Sequence, residues 1–289
     1  MSLNFLSECK EKVLRRIDAL LCDSNKIVSS MRYSALTNSK FIRAGLIFAS
    51  GNLNKALSDS ALIDMATSVE LMHTYSLIHD DLPSMDNDDM RRGQASNHVK
   101  FNEATAILTG DALHALAYET IISSNEITEI QKIASIKALT IACGHKGMIL
   151  GQQYDLDAEN NEYNDIQKIH ELKTGKLIQV AMTMPHLGVE KQKDILQVLY
   201  DIGVKLGLAF QIIDDVLEVS SDTNTLGKSN QSDLVNHKLT YVSVFGKQKS
   251  IDKAQLLSSE CISKLQDSFS KDEAKDLLDL AKFMVERTK

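Results

Sequence analysis

The chain has 289 residues, a net charge of -7 and 43% apolar residues. That balance suits a soluble globular protein with a real core, and it excludes the basic footprint of a nucleic-acid binder. Two prolines and 13 glycines are too few for the turns of a β-sandwich, so the expected fold class is all-α.

The four cysteines, Cys9, Cys22, Cys143 and Cys261, show no paired spacing. Free thiols in a reducing compartment are expected. No charged-then-apolar segment opens the sequence, and no run approaches the ~20 apolar residues that span a membrane. A cytoplasmic location without a membrane span is therefore expected.

Apolar residues recur three and four apart along the chain. Leu62, Met65, Ala66, Val69, Met72 and Ser76 share one face of a predicted helix. It leads into the first of two aspartate pairs, Asp80-Asp81. Pro83 lacks an N–H and disfavours a regular helix, so the backbone is predicted to distort and bring Asp86 back beside Asp80 and Asp81.

Further helices are predicted over 103–123, 129–158, 165–184, 191–220, 249–268 and 272–287. Gly144, Gly147 and Gly151 interrupt the second of these and are placed to kink it or to allow close packing. Pro185 fits the end of the third. Loops are predicted at 52–58, 86–97, 160–164 and 221–236, the last polar and beside the second aspartate pair. With no repeat and no linker, residues 1–289 read as one large helical domain.

Asp80-Asp81 and Asp214-Asp215 each adjoin a strongly apolar run. Burying an unpaired carboxylate costs several kcal/mol, roughly, so a cation is needed. Hard divalent metals prefer oxygen ligands, and magnesium leaves positions for substrate phosphates. Two facing acidic patches holding magnesium and a phosphorylated substrate are the first inference. Arg91 and Arg92 follow the first patch and suit a diphosphate, because a guanidinium grips phosphate oxygens with two prongs. Asp214 and Glu218 lie four apart and share a helix face. Lys228 and Lys238 follow as possible phosphate partners. The plain alternative, a solvated acidic stripe, fits poorly where Ile212, Ile213, Val216, Leu217 and Val219 leave little polar face.

The run from His73 through Asp80-Asp81-Leu82-Pro83-Ser84-Met85-Asp86 to Arg91-Arg92-Gly93 resembles the first aspartate-rich motif of short-chain trans-prenyl diphosphate synthases. The form with two extra residues, proline included, resembles the bacterial farnesyl diphosphate synthases. Gly110-Asp111, Gly151-Gln152, Lys173-Thr174-Gly175 and Phe210-Gln211 through Glu218 follow in the family's order. The resemblance runs from Met31 to Tyr241 or beyond.

It implies a helical bundle of the isoprenoid synthase type with a central active-site cavity, usually a homodimer. It also implies condensation of isopentenyl diphosphate with dimethylallyl or geranyl diphosphate. Asp80, Asp86 and Asp214 would carry magnesium, three ions per site with substrate bound, and Asp81, Asp215 and Glu218 are further candidates. Arg91, Lys173, Lys228 and Lys238 would hold the allylic diphosphate, and Lys40, Arg43, His73 and Arg92 isopentenyl diphosphate. Backbone carbonyls near Lys173 and Thr174 and the amide oxygen of Gln211 would face the carbocation. Tyr75, five residues before Asp80, would floor the pocket with Ser76 and stop growth near fifteen carbons; on spacing alone Tyr75 is as well read as a core aromatic.

The sequence departs from the family where Asn38-Ser39-Lys40-Phe41-Ile42-Arg43-Ala44 replaces Gly-Gly-Lys-Arg-x-Arg-Pro. Glu218 replaces an aspartate, Gln231 a common glycine and Val242 a usual proline. Slower catalysis rather than a lost reaction is expected. Other readings are a geranylgeranyl diphosphate synthase, a class I terpene cyclase and a non-catalytic subunit of a prenyl synthase. A cyclase would usually carry an Asn/Asp–Ser/Thr–Glu metal motif and would not need Lys40, Arg43 and His73. A non-catalytic subunit would be expected to lose acidic ligands. A di-iron bundle built on Glu70 and His73 lacks its second Glu-x-x-His.

Overall fold

The computed structural model describes residues 3–220 and 239–287. Lys228, Lys238, Gln231 and the predicted loop at 221–236 lie outside the described residues.

The fold is all-α. The first three helices are α1 (Leu3–Leu20), α2 (Lys26–Ala35) and α3 (Ile42–Gly51). They surround α4 (Asp59–Asp80), whose N-cap Ser58 accepts from the Ala61 N–H. The sequence places one apolar face on α4, but burial extends all round it: Met65, Thr67, Ser68, Leu71 and Met72 are fully enclosed. A helix covered on every side is a central helix rather than a surface one. It packs most extensively on α6 (Glu103–Ile122), with the short α5 (Asn97–Phe101) leading in.

The predicted helix at 129–158 is two helices, α7 (Glu129–Cys143) and α8 (Met148–Glu159), parted at Gly144 and Gly147. Gly151 serves close packing. A Cβ there would lie 2.3 Å from the Lys173 backbone nitrogen, so only glycine lets α8 reach that segment.

The segment predicted at 165–184 comprises α9 (Ile166–His170), a π-helical turn (Glu171–Gly175) and α10 (Lys176–Thr183). Pro185 then falls in a closing 3-10 turn. A π-type turn inside a helix marks a register change that is common at functional sites. Here it carries Lys173 and Thr174.

The longest helix, α11 (Lys193–Ser220), crosses beside α10 and bears the second acidic pair. The short α12 (Tyr241–Phe245), then α13 (Lys247–Ser268) and α14 (Lys275–Glu286), complete the described chain. Two stretches, Glu129–Glu159 and Lys193–Ser220, are more apolar than the sequence reading allowed and pass a membrane-span criterion by length and composition. The first is the interrupted α7–α8 pair, and half of the most apolar part of the second is buried among other helices.

Candidate active site

The helix α4 ends where the first motif begins. Pro83 follows the last helical residues, where it cannot continue the helix. The Asp86 N–H then donates to the Asp80 carbonyl at 2.9 Å, so the backbone folds back as the proline predicts. The predicted loop at 86–97 contains a small antiparallel hairpin instead, β1 (Met90–Arg91) and β2 (Gln94–Ala95). Its two turn residues, Arg92 (φ 55) and Gly93 (φ 79), both have the positive φ of a type I′ turn. The hairpin fixes Arg91 and Arg92 relative to α4.

A cavity of about 1180 Å³ opens between the two acidic segments. Its wall includes Asp80 and Asp86 from the first segment and Asp214 and Glu218 from the second. Lys173, Thr174 and Gln211 also line it, as do Lys40, Arg43, His73, Arg91, Arg92, Tyr75 and Ser76. These residues, from five separate stretches of sequence, thus meet in one space.

Two of the predicted metal candidates do not line this cavity. Asp81 is 2% exposed and is gripped by Arg91, whose Nε donates to its Oδ1 at 2.9 Å and whose Nη2 makes a second, closer bond. Arg91 also reaches Asp88 at 3.1 Å. Asp215 is 5% exposed and is held by the Tyr241 N–H at 2.6 Å and by Gln211 Nε2 at 3.3 Å. Successive helical side chains diverge by about 100°, so two adjacent carboxylates point in different directions, and here Asp81 and Asp215 are the ones turned into the protein.

On the acidic side burial works against the charged carboxylates. Burial pushes the Asp80 carboxyl up to about 6, with Lys173 lowering it and Asp86 raising it further. Asp80 also ends α4, where the helix dipole disfavours an anion. Asp214 is raised by burial too, against the pull of Arg287. The donors are all carboxylate oxygens, and among the described residues no three metal-binding side chains cluster closely enough to hold an ion alone. Such an open oxygen set fits magnesium completed by phosphate oxygens.

The basic side behaves accordingly. Burial works to lower the Lys173 pKa, but Asp155, Asp80 and Asp86 outweigh it and raise it. Its Nζ donates to Asp155 Oδ2 at 2.6 Å. Burial, reinforced by Arg43, Arg92 and Arg91, holds the His73 pKa well below its ordinary range. Glu70 accepts the Ala44 N–H at 2.9 Å and caps α3 beside Arg43. That bond uses an N–H that a proline at this position would lack, which gives Ala44 a structural role in the divergent stretch. The same contact assigns Glu70 to α3 rather than to a metal. Phe41 takes the left-handed conformation at the start of α3 (φ 50), a place where the family's pattern has an arginine.

Four residues in or beside the cavity carry no assigned site role in the sequence reading. Asp155 does not line the cavity but holds Lys173, which does; it stands four residues after Gly151, on the same α8 face, a spacing that was available. Gln152 lines the cavity, and both its amide atoms are buried without a hydrogen-bond partner among the described residues. Phe210 sits one residue before Gln211 and supports a guanidinium. That guanidinium belongs to Arg287, which lies 3.9 Å over the Phe210 ring and pairs with Asp214 Oδ1 at 2.7 Å. A single arginine at a helix end carries no motif, so no signal in the sequence marks it.

An all-α bundle whose cavity sets two carboxylate walls against a basic surface defines a class of enzymes acting on diphosphate esters. The chain belongs to the polyprenyl synthetase family, whose model matches residues 24–280. It is 37% identical to the farnesyl diphosphate synthase of Escherichia coli over 98% of this chain and 97% of that protein. It is 36% identical to geranylgeranyl pyrophosphate synthase 7 of Arabidopsis thaliana, over 91% of this chain and 76% of that protein. Its fold matches the crystal structure of a Helicobacter pylori geranyltransferase complexed with magnesium and isoprenyl diphosphate. The TM-score is 0.84 at 29% identity, and 99% of each chain is covered.

Proposed function

We propose that this chain, read as one domain over 1–289, condenses isopentenyl diphosphate with dimethylallyl or geranyl diphosphate to give farnesyl diphosphate and diphosphate. The observation that carries this reading is the single cavity with Asp80 and Asp86 facing Asp214 and Glu218 beside a basic surface.

Asp80, Asp86, Asp214 and Glu218 would hold magnesium, three ions in our reading, which would supply charge to neutralise the departing diphosphate. Lys173, oriented by Asp155, grips the allylic diphosphate, and Arg91, oriented by Asp81, adds a second contact. Lys228 and Lys238 remain assigned there from the resemblance. Lys40, Arg43, His73 and Arg92 hold isopentenyl diphosphate. The allylic carbon–oxygen bond breaks, and both its electrons leave with diphosphate. The Gln211 amide oxygen, the Thr174 hydroxyl and the backbone carbonyl of Lys173 face the cation. The alkene of isopentenyl diphosphate attacks it, and the proton lost next goes to the departed diphosphate. No side-chain nucleophile takes part.

A cytoplasmic homodimer completes the proposal. Free thiols at Cys9, Cys22, Cys143 and Cys261 agree with a reducing compartment. Adjacent helices α6 and α7 expose Ile107, Leu108, Ile122, Ile130, Ile133 and Ile141, each at least 45% exposed. Exposed apolar side chains on two packed helices suit a second copy related by a two-fold axis. Replacing Ile130 and Ile133 together with glutamate should convert the dimer to monomer in sedimentation. An unchanged mass would place the interface elsewhere.

The direct test is a product assay with magnesium, isopentenyl diphosphate and geranyl diphosphate, read by mass spectrometry after removing phosphates. A linear fifteen-carbon alcohol is expected. A cyclic hydrocarbon would make the protein a cyclase. No product from folded protein would point to a subunit lacking its partner.

A further inference from the structure

Asp215 belongs to the second aspartate pair, yet its carboxylate is spent on the protein. It accepts the Tyr241 N–H on Oδ2 at 2.6 Å and the Gln211 side-chain Nε2 on Oδ1 at 3.3 Å. His170 Nε2 lies 3.3 Å from the same Oδ2. Gln211 in turn accepts the Thr174 hydroxyl on Oε1 at 2.8 Å. Of these five residues, Gln211 and Thr174 line the cavity and Asp215, Tyr241 and His170 do not.

The order of these contacts fixes a dipole. A glutamine amide has two ends of nearly equal size, and only its partners decide which way it points. A carboxylate can accept but not donate, so the amide NH2 must face Asp215. The carbonyl end is then held toward Thr174 and the cavity.

We infer that Asp215 is a positioning residue for allylic ionisation: it holds the Gln211 amide with its oxygen toward the carbocation, and it is not a metal ligand. This rests on the prenyl-transfer reading above. A carbocation is stabilised by an amide oxygen and opposed by an amide NH2, so the orientation acts on the ionisation step itself.

The test is Asp215→Asn. The new side chain presents one acceptor and one donor. With its oxygen kept by the Tyr241 N–H, its NH2 faces Gln211 and draws the Gln211 oxygen away from the cavity. The turnover number is expected to fall on the order of 10–100-fold. The KM for the allylic diphosphate should change by no more than about twofold, as for an interaction made in the transition state. Magnesium affinity, read by calorimetry with a non-ionisable allylic thiolodiphosphate, should change by no more than about twofold. In the background Gln211→Ala, Asp215→Asn should cost little further turnover, because the two act as a unit.

A tenfold or larger rise in the magnesium dissociation constant would overturn the inference and return Asp215 to the metal site. So would full additivity of the two substitutions. Asp215→Ser, which leaves room for a water between Tyr241 and Gln211, serves the same cycle if the asparagine variant does not fold. Wild-type protein that forms no prenyl product would instead overturn the function, and the unchanged calorimetric baseline keeps the two failures apart.

Discussion

Asp80→Asn should abolish turnover and yet stabilise the ligand-free protein above pH 6. Asp80 lines the acidic wall at the C-terminal end of α4, with Asp86 folded back against its carbonyl. On the proposed function Asp80 helps to hold the substrate's counter-ions, and its removal should then cost on the order of 10³-fold in turnover. The stability effect has the opposite sign. Burial raises the folded Asp80 pKa from an ordinary 3.8 to about 6. A carboxyl with a raised folded pKa favours folding in its protonated form. Its charged form opposes folding fully above about pH 6, and the effect disappears below about 3.8.

The shift sets a ceiling of about 3 kcal/mol, and water in the cavity reduces it to about 1–2 kcal/mol. Asparagine carries no charge at any pH. At pH 8 without magnesium the melting temperature should therefore rise by about 2–8 °C. At pH 3.5 it should not. A melting temperature that falls at pH 8 would show that Asp80 is net stabilising and that the wall is not charge-frustrated. Function and stability are opposed at this carboxylate, as they commonly are at catalytic sites.

Tyr75→Ala should lengthen the main product from fifteen carbons to twenty or more. The Tyr75 side chain lines the cavity one helical turn and a half before Asp80, and the residue is 8% exposed. Its ring meets the His79 ring edge-on at 5.3 Å and the His114 ring at 4.9 Å. His114 in turn packs on Tyr118 at 5.1 Å, so a second aromatic layer stands behind the first. Truncation opens space along the growing chain, and the next layer limits how far it extends. The cost in stability should be about 3–5 kcal/mol, as for other buried aromatics cut to alanine. Mass spectrometry of the dephosphorylated products decides the matter. Folded variant protein that still stops at fifteen carbons would reduce Tyr75 to a core aromatic.

Much of this architecture was legible in the residues. The scarcity of breakers and the spacing of apolar residues point to helices, and two aspartate pairs in apolar surroundings point to bound cations. The inward turn of Pro83-Ser84-Met85-Asp86 follows from the missing N–H of proline. What stayed hidden depends on rotation and on distant partners. Nothing in Asp214-Asp215 says which carboxylate faces the cavity, because that is settled by Tyr241, 26 residues away. The hairpin escapes because two-residue strands show no alternation, and Arg92-Gly93 is a weak turn signal beside Asn-Gly. The break between α7 and α8 was visible as glycines but not as a break. Glycine permits both a kink and close packing, and Gly144 and Gly151 illustrate one each.

The contact between Arg287 and Asp214 ties the far turn of α14 to the second acidic wall. The guanidinium is only 7% exposed, donates to the Phe210 carbonyl at 3.1 Å and covers the Phe210 ring. It serves as an internal counter-ion. A cation bound at Asp214 would share that carboxylate with Arg287 and draw on the same negative charge. Coupling of this kind is reciprocal: to the extent that loading of that wall would weaken the grip of α14 on the bundle, a tighter grip of α14 would weaken loading by the same factor.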